Sequence, residues 1–414
     1  FNPIISAVFA GNSIVIKVSE YASWSTKYYV KLIDACLKAS GAPPNLIRIL
    51  VGYGNTGAAM LSSPLNITDE KKENDAFNFQ DATPRAGGPR ERGVDLLIFV
   101  GSVGVGRKVA AAGAESLTPV ILELGGKDPF IICNDVDVKS LTQLVCRGVF
   151  QNMGQNCAGP ERFIVYESIY DEFVDSITSI VMKLKVGVPT DDDCVDCGAL
   201  RLPQAAGELE ERIANAVKQG AKLVSGGHAV SNLKGQFLEP TVLADVTSDM
   251  DIAQEEIFGP IVCIMKVKGD SDAEAVRIAN HCGFALGASV HSANVERARR
   301  VGSAVRAGMC AVNDLEGASY LSQSLPFGGV GRAGSGRFAG IEGLRGVCYA
   351  HSVVENRASF LKASIPPAIA YPSQGNGPTF CEGLVELLYG YSIGARLSGL
   401  VKLTKASLGG KKQN

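Results

Sequence analysis

Two periodicities alternate along the first third of this chain, and together they predict a layered α/β fold. Residues 13–17 (SIVIK) form a short β-branched run, 28–39 carry a helix-like spacing, and 47–51 read as a strand after Pro43 and Pro44. Residues 95–100 (DLLIFV) repeat the strand pattern. They lead through the glycine-rich GSVGVG of 101–106 into an alanine-rich helix to Gly113, and 120–124 is a strand again. Alternation of this kind predicts a parallel sheet covered by helices. Residues 64–92 interrupt it with a polar, charged, Pro- and Gly-containing stretch almost without branched aliphatics. Burial there cannot offset the entropy of ordering, so a disordered surface loop is expected. The sequon Asn66–Ile–Thr68 inside it is read as a chance match.

The pattern from about 127 to 325 suits a second α/β domain, with amphipathic helices near 136–152 and 208–219 and strands near 163–166, 223–225 and 261–266. After Val354 the chain becomes Pro- and Gly-rich, and 380–409 is an apolar stretch that carries Arg396, Lys402 and Lys405. A basic amphipathic helix of that kind either packs on the rest of the protein or lies on a membrane surface, a peripheral contact.

Composition narrows the classes. A chain of 414 residues, 46% hydrophobic and 20% charged, holds enough apolar residues for a large core in two or three domains. A net charge of −2 gives no electrostatic basis for binding nucleic acid. No apolar run is long enough to span a membrane, and no secretory signal is visible. Eleven cysteines, an odd number, point to free thiols and a reducing compartment. Localisation is therefore expected to be cytoplasmic or, through 380–409, membrane-associated. Cys194–Val–Asp–Cys197 is the one close cysteine pair, and without a second pair or clustered histidines no metal is expected.

Candidate chemistry centres on Cys157, in FQNMGQNCAGPERF of 150–163. A thiolate attacks a carbonyl carbon and later leaves from an acyl thioester. The motif follows a helical pattern in a stretch of Gly, Asn and Gln where neither helix nor strand is expected. Glu123 lies 34 positions upstream, in VILELGGKDP of 120–129. A carboxylate there can deprotonate water for attack on the thioester, and the following glycines allow the backbone close approach. GSVGVG at 101–106 follows a strand and opens a helix, so its N–H groups can face a phosphate, although the spacing is not GxGxxG.

Together these segments resemble the active-site signatures of the NAD(P)-dependent aldehyde dehydrogenases. The resemblance extends to VIKVSE at 15–20, with Val18 in place of the usual proline, to EEIFGP at 255–260, and to LPFGG at 325–329. It is closest to a plant-like or fungal-like subgroup with a long C-terminal extension. It implies an aldehyde dehydrogenase-like fold with an incomplete Rossmann-type NAD-binding domain over 1–124, containing the insert 64–92. A catalytic domain over 125–324, a return segment to the cofactor domain over 325–354 and an extension over 355–414 follow. Cys157 would be the nucleophile and Glu123 the base, with Lys17 and Glu20 at the adenine ribose. Gly101, Ser102 and Gly106 would lie near the phosphates, and Glu256 and Phe258 at the nicotinamide riboside.

A carboxylate at Glu20 favours NAD over NADP. The base at Glu123 favours hydrolysis to a carboxylic acid over transfer to coenzyme A. The family's Pro–Trp–Asn segment, whose asparagine donates to the oxyanion, would lie upstream of Phe1, as would an oligomerisation strand. Two readings therefore stand: an NAD-dependent aldehyde dehydrogenase, a homo-oligomer when full length, and a catalytically impaired truncated homologue that acts only as an interaction partner. Gly331 stands where the family usually has a lysine, so the substrate funnel is not read from the sequence.

Overall fold

The computed structural model describes residues 1–43, 46–62, 93–315, 322–358, 360, 364–373 and 375–408. The insert 64–92, for which a disordered loop is expected, lies outside them. Two compact units divide the chain, Phe1–Tyr349 and Ala350–Asn414.

The first unit opens with the helix Asn2–Phe9, strand β1 (Ile14–Val18), the helix Ser23–Ala39 and strand β2 (Ile47–Val51), which pairs with β1 in parallel. Strands β3 (Leu97–Val100) and β4 (Val120–Glu123) flank the helix Val103–Glu115 and also pair in parallel. The two pairs form separate sheets rather than one. No residue of β1 or of the helix Ser23–Ala39 is buried, and Trp24 on that helix is 85% exposed.

A larger sheet follows, formed by β5 (Asp128–Ile132), β6 (Pro160–Tyr166), β7 (Lys222–Ser225), β8 (Thr241–Ala244) and β9 (Ile261–Val267). Beyond β10 (Phe284–Ala285), strands β11 (Ser289–His291) and β12 (Ala311–Val312) complete it. Its order is β12-β11-β5-β6-β9-β8-β7, parallel throughout except for the antiparallel edge strand β7. Every residue of β5 and β6 is buried. Continuous burial rather than alternation is what helices on both faces of a parallel sheet produce. The helices Val138–Phe150 and Tyr170–Val181 supply Leu141, Val145, Val149, Phe173 and Ile177 to that core. Asp137 caps the first of them by accepting from the Lys139 N–H. The return segment carries β13 (Val330–Gly331), antiparallel to β10, and β14 (Gly334–Ser335), antiparallel to β4.

The apolar stretch 380–409 reads as one run in the sequence, yet it folds as two helices, Gly377–Tyr389 and Ile393–Leu408, in the second unit. Gly390 ends the first helix, and the three-residue connection turns the chain back on itself. The helices touch where Gly383 meets Gly399; a Cβ on Gly399 would lie 2.6 Å from the Gly383 oxygen. Lys402 bridges Glu382 and Glu386 across the hairpin, at 3.3 and 2.6 Å.

Candidate active site

Strand β4 delivers Glu123 to its C-terminal end, 2% exposed, and residues 124–127 turn the chain into β5. The other approach comes from the helix Val138–Phe150. It stops short of the expected residue 152 because Asn152, Met153 and Gly154 all take positive φ, of 52°, 59° and 68°. This left-handed run redirects the chain so that Cys157 arrives beside the 124–127 turn. Gly154 is obligatory here, since a Cβ would sit 2.2 Å from the Gly259 oxygen. Gly126 is equally constrained: its Cβ would lie 2.2 Å from the Cys157 oxygen.

The Cys157 thiol and the Glu123 carboxyl lie close enough for each to shift the other's acidity. Burial raises the Glu123 carboxyl above the usual carboxylate range, an effect the neighbouring Cys157 thiol opposes. Burial first, and then the charge of Glu123, push the thiol far above its ordinary range. At rest the proton stays on sulfur, with a strengthened base beside it. Glu123 Oε1 has no hydrogen-bond partner among the described residues, leaving an acceptor position for a reacting water.

Glu256 joins this pair. Its carboxylate accepts from the Gly126 N–H at 3.2 Å, and a Cβ on Gly125 would lie 2.5 Å from it. Burial and then the charge of Glu161 push Glu256 up to about 8, against the pull of the Gly126 N–H. Phe258, two residues on, is 36% exposed with φ +55°. Three buried charged residues frame these segments. Lys127 donates to Glu161 at 2.9 Å, and Arg162 donates to the backbone oxygens of Lys127, Ile278 and Ala279 at 2.8, 3.1 and 2.8 Å. Roles for Lys127 and Glu161 were not legible from motif spacing; the available signal is a charge inside an otherwise apolar strand, PERFIVY.

The glycine-rich turn meets the same centre from the other side. The Gly101 N–H donates to the Glu123 oxygen at 3.0 Å, and Gly106 is buried where a Cβ would meet Leu124 Cδ2 at 2.4 Å. Ser102 stands at the N-cap of the helix Val103–Glu115 without a side-chain capping bond. The free first-turn N–H groups of that helix suit an anionic phosphate, so the residues present fit a dinucleotide. Lys17 lies on β1 and Glu20 opens the 3-10 turn that follows it, Glu20–Ala22, and the two pair with each other at 3.5 Å. Glu20 is lowered by its backbone hydrogen bond and by Lys17. A bridge towards the Cys157 loop is Arg201, whose guanidinium lies 5.6 Å from the Tyr21 ring centre while its backbone N–H donates to Gln155 Oε1 at 2.8 Å. The structure thus gathers Glu123, Cys157, Glu256, Phe258 and the 101–106 turn. No hydrogen bond or ion pair among the described residues joins Lys17 or Glu20 to them; Arg201, whose charge lowers Glu20, links their neighbourhood to Gln155. All eleven cysteines are free.

Residues 89–353 match the aldehyde dehydrogenase family. A putative aldehyde dehydrogenase-like protein of Schizosaccharomyces pombe is 37% identical over 393 residues, covering 94% of this chain and 69% of the relative. One of Saccharomyces cerevisiae is 35% identical over 412 residues, covering 97% and 60%. The crystal structure of an NAD-dependent aldehyde dehydrogenase from Sinorhizobium meliloti superposes with a TM-score of 0.72 at 30% identity, over 87% of this chain and 65% of that one. The protein belongs to the aldehyde dehydrogenase family. It spans between 60% and 69% of the length of these relatives.

Proposed function

We propose that the protein oxidises an aldehyde to a carboxylic acid with NAD as acceptor, Cys157 acting as nucleophile and Glu123 as base. The observation that carries this reading is the half-buried Cys157 thiol beside the buried Glu123 carboxyl, set there by a glycine turn with no room for a methyl group. The thiol is too weak an acid to attack unaided, so Glu123 takes its proton as the C–S bond forms. That proton then passes to solvent. NAD supplies a two-electron acceptor for the hydride that leaves the thiohemiacetal carbon, and a thioester remains on Cys157. Glu123 next deprotonates water, hydroxide adds to the thioester, the C–S bond breaks and the thiol is reformed. The net reaction consumes aldehyde, NAD+ and water and yields acid, NADH and a proton. Gly101, Ser102 and Gly106 would hold the pyrophosphate, Glu256 and Phe258 the nicotinamide riboside, and Lys17 and Glu20 the adenine ribose, with Glu20 disfavouring a 2′-phosphate.

NADH fluorescence with a panel of aldehydes tests the reading. Wild-type protein is expected to turn over and Cys157→Ala to be inactive. A signal unaltered by that substitution sinks the enzyme assignment.

A second reading, a weakly catalytic partner within oligomers, is favoured by the aromatic surface of the helix Ser23–Ala39, where Trp24 and Tyr28 are exposed. Homo-oligomerisation belongs to both readings, and light scattering of the purified protein measures it. The hairpin turn of the second unit exposes Leu388, Tyr389, Tyr391 and Ile393, which supports peripheral membrane contact. Among the described residues no helix is long and apolar enough to cross a membrane. Flotation with anionic vesicles should retain the protein, and the loss of flotation on Leu388→Ser/Ile393→Ser would tie that contact to the turn.

A further inference from the structure

We propose that Glu161 is a positioning residue that sets the cofactor-facing segment against the nucleophile, an inference that rests on the NAD-dependent reading above. Glu161 lies four positions past Cys157 at the start of β6 and is 5% exposed. Its Oε1 accepts from the N–H groups of Ile257 and Phe258 at 3.1 and 2.9 Å. Its Oε2 accepts from the Ile257 N–H and from Lys127 Nζ, both at 2.9 Å. One carboxylate therefore ties together three stretches distant in sequence: the strand that follows the nucleophile, the segment that presents Glu256 and Phe258, and the turn between the base and β5.

Phe258 has particular need of such a hold. A bulky side chain at φ +55° is strained, and that conformation persists only where the surroundings over-determine it. The Phe258 N–H and the one before it both end on Glu161. Charge-assisted bonds in a buried setting are strong and directional, which fixes the ring and the neighbouring Glu256 in place. The alternative is that Glu161 serves only to neutralise Lys127, whose side chain is fully buried.

Two double variants separate the roles. Lys127→Met with Glu161→Gln removes the ion pair but leaves an amide oxygen to accept from the two N–H groups. Lys127→Met with Glu161→Ala removes the ion pair and the acceptor, with space for a water. Neither leaves a buried charge unpaired. The glutamine pair is expected to bind NAD within about threefold of wild type, whereas the alanine pair weakens NAD by about tenfold or more, the worth of a lost bond to a charged group. The Michaelis constant for aldehyde should change much less than that for NAD. Hydrogen exchange of the Ile257 and Phe258 amides should accelerate by about tenfold in the alanine pair over the glutamine pair.

Equal exchange and equal NAD affinity in the two pairs would overturn the inference in favour of simple neutralisation. Wild-type protein that neither binds NAD nor makes NADH would overturn the functional reading instead, and the exchange difference would still decide the role of Glu161. If the alanine pair does not fold, Lys127→Met with Glu161→Asp applies the same criteria with a carboxylate too short to span both N–H groups.

Discussion

The β1–β2 region and the β5–β6 region are both strand pairs in one compact unit, yet they hold their functional groups by opposite means. In β5 and β6 every residue is buried, and Glu161 and Arg162 are each anchored by three or more short bonds. In β1 no residue is buried, and Lys17 and Glu20 are held by a single exposed ion pair at 3.5 Å. Exposed pairs contribute roughly 0–1 kcal/mol, whereas losing one partner of a buried charge network costs about 3–5 kcal/mol. The proposed chemistry sits beside the buried, densely bonded strands, and the proposed adenine-ribose contacts sit where the chain is exposed and sparsely bonded.

The largest effect expected from this contrast is at Glu123. Glu123→Gln keeps the shape but removes the base, and turnover should fall by about 10²–10⁴. In wild type the rate should rise with pH through an inflection above the ordinary carboxylate range, because burial raises the acid that must ionise. A pH profile of turnover checks both points. Gly126→Ala comes next: its methyl would need the space 2.2 Å from the Cys157 oxygen. A thermal midpoint lowered by the equivalent of about 1–3 kcal/mol, the usual cost of overpacking, is expected together with slower alkylation of Cys157.

Glu256 gives a smaller, pH-dependent effect. Its folded value, up to about 8, exceeds that of an unfolded glutamate. Its contribution to stability is therefore fully present at low pH and is lost as pH rises from the unfolded value through about 8. Glu256→Gln should leave the thermal midpoint near wild type at pH 4 and raise it at pH 9; the reverse order would contradict the assigned burial. The smallest effect belongs to the exposed region. Glu20→Gln should change stability by less than about 0.5 kcal/mol, measurable only as improved use of NADP relative to NAD. A large loss of stability there would erase the distinction between the two regions.

Much of the frame was legible in the sequence because it depends on local pattern. The pattern of 47–51 predicts a strand with the observed bounds, and the segments proposed to carry nucleophile and base stand out as short local motifs. What escaped was set by contacts across long sequence separations. Lys127 and Glu161 are ordinary charges until β5 and β6 pair and the solvent is gone. The helix over 136–152 ends early because of a turn demanded by the arrival of Cys157 at Glu123, not by any breaker inside its own periodicity. In the stretch 380–409 the local signal for the hairpin is Gly390, which ends the first helix, whereas the Gly383–Gly399 contact that packs the two helices has no local signature. The adenine-ribose roles of Lys17 and Glu20 rest on resemblance alone.

The contact between Gly154 and Gly259 bears on how the site communicates. With no side chain between them, the backbone of the nucleophile loop rests against the backbone that follows Phe258, and neither can shift without displacing the other. If a dinucleotide binds on the Phe258 side as proposed, its occupancy would be felt at the sulfur. By reciprocity, a reversible ligand at Cys157 would then alter dinucleotide affinity by the factor with which the dinucleotide alters its own. Two ligands that never touch would share one mechanical joint, made of two residues without side chains.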